Sequence, residues 1–254
     1  MLQRRVALRP DGLTLSGEAL IPDDPSMICV LCHGIPGNAP RDPEDTGYAG
    51  FARTLADRGF ATFWFDFRGV RGAPGEFSIA GWCADLEAAL DALDADAEIG
   101  GIPRILVGSS AGGAIAIAVA ARREDVVAVA TFAAPASFTF GGLVSDPSKL
   151  VQTFRNTGII HDPAFPPDLD AWWREFSEVA PEEVIGKLAP RPVLLAHGDS
   201  DEVIPYPHAE RLFIAAGEPK ELVRIPHGGH QLRRDPRAVE ALCDWLENLP
   251  RSVA

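Results

Sequence analysis

Gly108-Ser109-Ser110-Ala111-Gly112 is the stretch whose residue types and spacing could do chemistry. A serine hydroxyl serves as a nucleophile when a tight strand-to-helix turn lifts it clear of the backbone. The residues two places to either side must then be small enough for strand and helix to approach. Gly108 and Gly112 meet that demand around Ser110, whereas Ser109 has no such flanking pair. Ile105-Leu106-Val107 ahead of the turn is a short apolar run of the kind found in interior parallel strands. Ala111 to Ala121 behind it is apolar on every face and predicts a buried helix. A flexible Gly-Ser loop would not sit wedged between two such segments. The helix would also aim the positive end of its dipole at charge developing beside Ser110.

Acyl transfer by a serine needs a base, a group that orients the base, and donors for the oxyanion. Three further stretches follow apolar, strand-like runs and could supply them. They are His33-Gly34-Ile35 after 27–32, Gly198-Asp199-Ser200-Asp201 after 192–197, and Pro226-His227-Gly228-Gly229-His230 after 221–225.

The elements that must position these loops are legible around them. Residues 4–20 predict a strand pair closed by the Asp11-Gly12 turn. A helix over about 47–58 ends at Gly59, and a strand covers 60–67. Ser78 can cap a helix with Ile79, Trp82, Leu86, Leu90 and Leu93 inward, and its acidic residues Asp85, Glu87, Asp91, Asp94 and Asp96 are expected on a solvated face. A strand at 126–134, a helix at about 207–216 and a last helix opened by Asp235-Pro236 complete the pattern. Repeated alternation predicts an α/β fold, a mostly parallel sheet of about eight strands with helices on both faces. Chemistry belongs on the loops leaving the strand C-termini. The alternation breaks in the middle, so the core is expected in two parts, 1–135 and 186–254, around a cap insertion at 136–185. Its aromatic residues Phe138, Phe140, Phe154, Trp172 and Trp173 are expected to line an apolar substrate pocket.

Composition excludes several classes. A net charge of -13 disfavours nucleic acid and anionic membrane surfaces as partners. No apolar run approaches the ~20 residues of a membrane span. Met1 to Arg5 lacks the apolar core of a secretion signal, so a cytoplasmic location is expected. Cys29 and Cys32 sit in one strand run, where residues three apart face opposite sides, so they predict inert thiols rather than a disulfide or half a zinc site. No metal-ligand spacing and no dinucleotide-binding glycine pattern is present, and neither metal nor cofactor is expected.

Five short signatures occur in order: His33-Gly34-x-x-Gly37, Asp66-x-Arg68-Gly69, Gly108-x-Ser110-x-Gly112, His197-Gly198-x-x-Asp201-x-x-Ile204-Pro205 and Gly228-Gly229-His230. With them, and with the chain order Ser…Asp…His, the sequence resembles the α/β-hydrolases from about residue 15 onward. The branch it is similar to holds small esterases, dienelactone-hydrolase-like proteins and acyl-peptidases. The stretch Val70-Arg71-Gly72-Ala73-Pro74 departs from the usual pattern after Arg-Gly. The resemblance implies Ser110 as nucleophile, His230 as general base and then acid, and Asp201 as the group that holds the imidazole. It also implies an oxyanion hole from the backbone N–H groups of Ile35 and Ala111. Asp199 lies out of register for the acid, His227 for the base; His33 and His197 are expected to order their own loops, and His161 and His208 to lie on the solvated surface.

The expected activity is hydrolysis of a small-molecule carboxylic ester, or an amide, through an acyl-serine intermediate. A peptidase or acylaminoacyl hydrolase, or a cofactor-free perhydrolase, could run on the same residues. The rival from another class is a non-catalytic ligand-binding protein that keeps the fold.

Overall fold

A computed structural model describes residues 1–37, 43–138 and 146–249. The chain opens with an antiparallel pair, β1 (Leu2–Leu8) and β2 (Leu15–Ile21), in register from Leu2 opposite Ile21 to Leu8 opposite Leu15. Between them Asp11 and Gly12 are left-handed, φ 45° and 77°, inside a single turn of 3-10 helix. The strands that follow are β3 (Ile28–Cys32), β4 (Ala61–Phe65), β5 (Arg104–Ser109), β6 (Val126–Phe132), β7 (Val193–Gly198) and β8 (Lys220–Ile225). They join β1 and β2 in one eight-stranded sheet of order β1-β2-β4-β3-β5-β6-β7-β8. β2 meets β4 antiparallel, and every pairing from β4 to β8 is parallel.

The helices are α1 (Gly47–Ala56), α2 (Ile79–Asp94), α3 (Ala111–Ala120), α4 (Pro147–Asn156), α5 (Leu169–Glu178), α6 (Pro181–Val184), α7 (Pro207–Ala215) and α8 (Pro236–Glu247). Alternation along the strands divides the core into two layers. Val30 and Cys32 face the layer that holds α2 and α3, while Cys29 and Leu31 face the layer of α1 and α8. Cys29 and Cys32 therefore lie on opposite faces of the sheet. All ten residues of α3 are buried, as an all-apolar helix requires. The expected caps form: Ser78 accepts the Gly81 amide, and Asp235 accepts the Arg237 amide ahead of Pro236. Among the described residues no helix is long and apolar enough to cross a membrane.

One helix face departs from expectation. Asp85 of α2 is fully buried rather than solvated. The reason is Arg68, in the loop after β4, whose Nε and Nη2 donate to Asp85 Oδ1 at 2.9 and 2.7 Å. The Arg68 amide donates to Oδ2 at 2.8 Å, so the carboxylate is satisfied on both oxygens.

The broken middle of the chain is helical in its described part and is bound to the core loop ahead of α2. Glu76 accepts the amides of His161 and Asp162 at 2.6 and 3.1 Å. Trp172 Nε1 donates to Phe77 O at 3.0 Å, the Phe77 amide donates to Ile159 O at 3.0 Å, and Glu175 accepts the Ala80 amide at 3.0 Å. Phe77 is also the hub of an aromatic cluster with Phe154 at 4.7 Å and Trp172 at 6.5 Å between ring centroids.

Candidate active site

Ser110 occupies the junction of β5 and α3. Its backbone is held at φ 54°, ψ -128°, a sparsely populated conformation for a residue with a side chain that costs about 1–3 kcal/mol. The Ser110 amide donates to Phe132 O at 2.8 Å, and the Gly113 amide returns to Ser110 O at 2.9 Å. The flanking glycines are required by close approach. A Cβ at Gly108 would stand 2.5 Å from Gly112 O, and one at Gly112 would stand 2.3 Å from His33 O. The turn is thus clamped between α3 and the loop after β3. Gly34 of that loop lies against the serine itself, since a Cβ there would stand 2.8 Å from Ser110 Cβ and 3.3 Å from Ser110 Oγ.

The loop after β3 is ordered by His33, which is 3% exposed. The Phe67 amide, which can only donate, reaches His33 Nε2 at 3.0 Å. Nδ1 must therefore carry the proton, and it donates to Gly34 O at 2.8 Å. Burial, only partly offset by the Gly34 carbonyl and the Asp66 carboxylate, pulls the imidazole down to about 4 and keeps it neutral. Pinning the Gly34 carbonyl turns the Ile35 N–H of the same planar peptide to the opposite side. Among the described residues neither the Ile35 nor the Ala111 amide has an acceptor, so both donors are available. Phe67 is fixed in turn by the Arg68–Asp85 pair that follows it in the chain.

Asp201 and His230 meet across the loops after β7 and β8. Asp201 Oδ2 accepts His230 Nδ1–H at 2.8 Å, and Oδ1 accepts the amides of Val203 and Ile204, each at 2.9 Å. The Asp201 side chain is fully buried, and that of His230 is 21% exposed. Burial alone would raise the Asp201 carboxyl. The nearby His197 and the His230 bond outweigh it, with help from the Ile204 amide, and hold the group well below the usual carboxylate range. Asp199 does something else: it accepts the His227 amide at 2.7 Å and Arg224 Nε at 3.0 Å, tying the two loops together. Among the described residues no hydrogen bond joins the Ser110 hydroxyl to the His230 ring. Arg233, on the same loop as His230, donates to Asp45 and to Gly47 O and so ties that loop to the start of α1.

The remaining candidates separate. Phe138, Phe154 and Trp172 are buried in the aromatic cluster on Phe77 and Phe176, and Trp173 is half-buried against Phe176. Phe140 lies outside the described residues. His161 is exposed, as expected, but His208 is not on the surface. It is 6% exposed and its Nδ1 accepts the Ala136 amide at 3.1 Å, because α7 packs this face inward against the end of β6. Two functional groups were missed by sequence reasoning: Arg68 and Asp85, which support the loop under His33. The Arg68-Gly69 signature was visible, but nothing in the spacing points from it to α2.

Comparison with known proteins bears on the family and the fold. The family model described as serine aminopeptidase, S33 matches residues 23–159. The uncharacterized protein YfhR of Escherichia coli (strain K12) is 29% identical over 227 residues, covering 87% of this chain and 70% of YfhR. Among solved structures, the esterase domain of a Rhodothermus marinus protein matches with a TM-score of 0.70 at 24% identity over 100% of both chains. The alpha/beta hydrolase GrgF from Penicillium sp. sh18 matches with a TM-score of 0.76 at 18% identity over 97% of each. At such identities these two structures speak to the fold, and the family match speaks to the chemistry. The chain belongs to the serine aminopeptidase S33 family, and is a hydrolase of the α/β-hydrolase fold.

Proposed function

We propose that the protein cleaves carboxylic esters of small molecules through an acyl-Ser110 intermediate, with His230 as base and Asp201 as its orienting acid. The observation that carries this reading is the 2.8 Å bond from His230 Nδ1 to a buried, doubly anchored carboxylate. That bond leaves Nε2 as the free face of the imidazole and stabilises the imidazolium formed when a proton is taken. Ser110 Oγ attacks the carbonyl carbon and gives its proton to His230 Nε2. The tetrahedral oxyanion is received by the Ala111 and Ile35 amides at the head of α3. His230 then returns the proton to the departing alkoxide as the acyl-serine forms. Water repeats the sequence and releases the acid. The Ser110–His230 contact closes as the substrate docks, a common tightening on passing from free enzyme to complex.

An ester is favoured because an alkoxide leaves more readily than an amine. The amide reading is supported by the family description, and a peptidase would use the same residues. The similar Rhodothermus marinus domain is an esterase domain, which is in keeping with the ester reading. We place the acyl chain beside the half-buried Trp173, at the edge of the cluster in which Phe138, Phe154 and Trp172 are packed. A fluorophosphonate of small alkyl size should label Ser110 at one equivalent, and Ser110→Ala should lose label and about 10⁶-fold in kcat on an activated ester. An adduct on Ser109, or turnover unchanged in Ser110→Ala, would end the proposal.

A further inference from the structure

His197, at the end of β7, is 1% exposed and is not needed to fill any of the roles above. Its Nε2 lies 2.8 Å from Ile204 O and 3.4 Å from Asp201 Oδ2, the same oxygen that serves His230. A carbonyl can only accept, so Nε2 carries the proton. One N–H edge thus faces both ends of the Asp201–Ile204 turn. The carboxylate has two imidazoles beside one oxygen and two amides on the other.

We propose that His197 is a positioning residue for the Asp201–His230 pair, tying the Ile204 carbonyl and setting how strongly Asp201 Oδ2 attracts the His230 imidazole. This rests on the reading of Ser110, His230 and Asp201 given above and adds the regulation of its base. A positive edge facing Oδ2 shares that oxygen's charge and weakens its hold on His230. Removing that edge leaves the whole of the Oδ2 charge to the His230 ring, a change the pH dependence of activity can register. Other charged groups face this cluster from neighbouring elements. His208 and Arg211 stand on α7 with Glu182 of α6 beside them, and the Tyr206 ring is edge-on to His197 at 5.9 Å. Arg224 of β8 lies over the Tyr206 ring and is itself paired with Asp199. His208 acts on both His197 and Asp201 through the field, whereas His197 stands 3.4 Å from Asp201 Oδ2 itself, so the second imidazole is the neighbour whose removal should register.

The test measures kcat/KM of an activated ester against pH for wild type, His197→Leu and His197→Gln, each also in the Asp201→Asn background, with thermal unfolding to confirm the fold. Gln can place an N–H near the position of Nε2, whereas Leu cannot. His197→Leu should lose about tenfold in kcat/KM and move the acid limb up by about half a pH unit, and His197→Gln should restore both. In Asp201→Asn the further loss on adding His197→Leu should fall below about twofold, since the charge it acts on is gone. If Leu prevents folding, His197→Asn, whose amide falls short of Ile204 O, takes its place. An unmoved acid limb, or a loss of the same size with and without Asp201, overturns the assignment and leaves His197 a packing residue. If Ser110→Ala or Asp201→Asn turns over at the wild-type rate, the proposed triad fails and His197 falls with it. If both are inactive and His197→Leu behaves as wild type, only the His197 assignment falls.

Discussion

The Asp201 carboxylate is seated by contacts between near neighbours in sequence, whereas the Gly34–Ile35 peptide beside Ser110 is held by contacts that reach across the fold. The Asp201 carboxylate is gripped by the amides of Val203 and Ile204, two and three residues away, with His197 four residues behind. On the other side, His33 depends on the Phe67 amide 34 residues on, and that loop depends on Asp85 a further 17 residues from Arg68. The Asp201 turn is therefore self-contained, and the loop after β8 brings His230 to it. The surroundings of Ser110 are a consequence of tertiary packing. Local turns tolerate distant damage, and relays through a buried ion pair do not.

Among changes to the contacts that hold these groups, the largest effect should come from the Asp201 turn. Asp201→Asn should fold normally and lose about 10⁴-fold in kcat, while Asp199→Asn, which loosens the turn without touching His230, should stay within about tenfold. Steady-state kinetics on one ester decides it, and an exchange of the two outcomes would show that the wrong carboxylate has been assigned to the turn.

The relay should break through its ion pair. Asp85→Ala leaves the Arg68 guanidinium buried with only the surface residue Asp11 as partner, and should cost about 3–5 kcal/mol in urea unfolding. Turnover should fall with it, because the loop beneath His33 is released. A loss below about 1 kcal/mol would mean that the two regions are equally local.

The smallest effect is a pH dependence. His33 titrates at about 4 in the folded chain against 6.5 when unfolded, because it is buried neutral. Between those values the unfolded chain binds the extra proton, so stability is fully present above about 6.5 and declines as pH falls toward 4, by about 3 kcal/mol in all. His33→Gln should be less stable at neutral pH yet show a shallower decline over that window. Parallel curves for the two proteins would mean that His33 is not the group responsible.

The same contrast explains what could be read from the chain alone. Gly108-x-Ser110-x-Gly112, the strand runs and the Asp201 and His230 loops are local patterns, and their spacing carries their geometry. Asp85 looked like one more acidic residue on a solvated helix face, because its partner is an arginine from a different loop. His208 looked solvated because a lone histidine in a polar stretch has no periodicity to mark it as inward. The aromatic residues of the middle segment were visible as a group. Their packing on Phe77 was not legible, since composition does not say which of these rings meet.

All four cysteines are buried, and burial pushes every one of these thiols above its ordinary value. At neutral pH they are thiols rather than thiolates, and maleimides or iodoacetamides find no native sulfur to attack. The chain is thus a silent background for site-directed labelling. A cysteine placed at Val203, which is 58% exposed and two residues from Asp201, would be its sole reactive sulfur. A dye attached there would sit at the lip of the base, where docking of an acyl donor should change its surroundings.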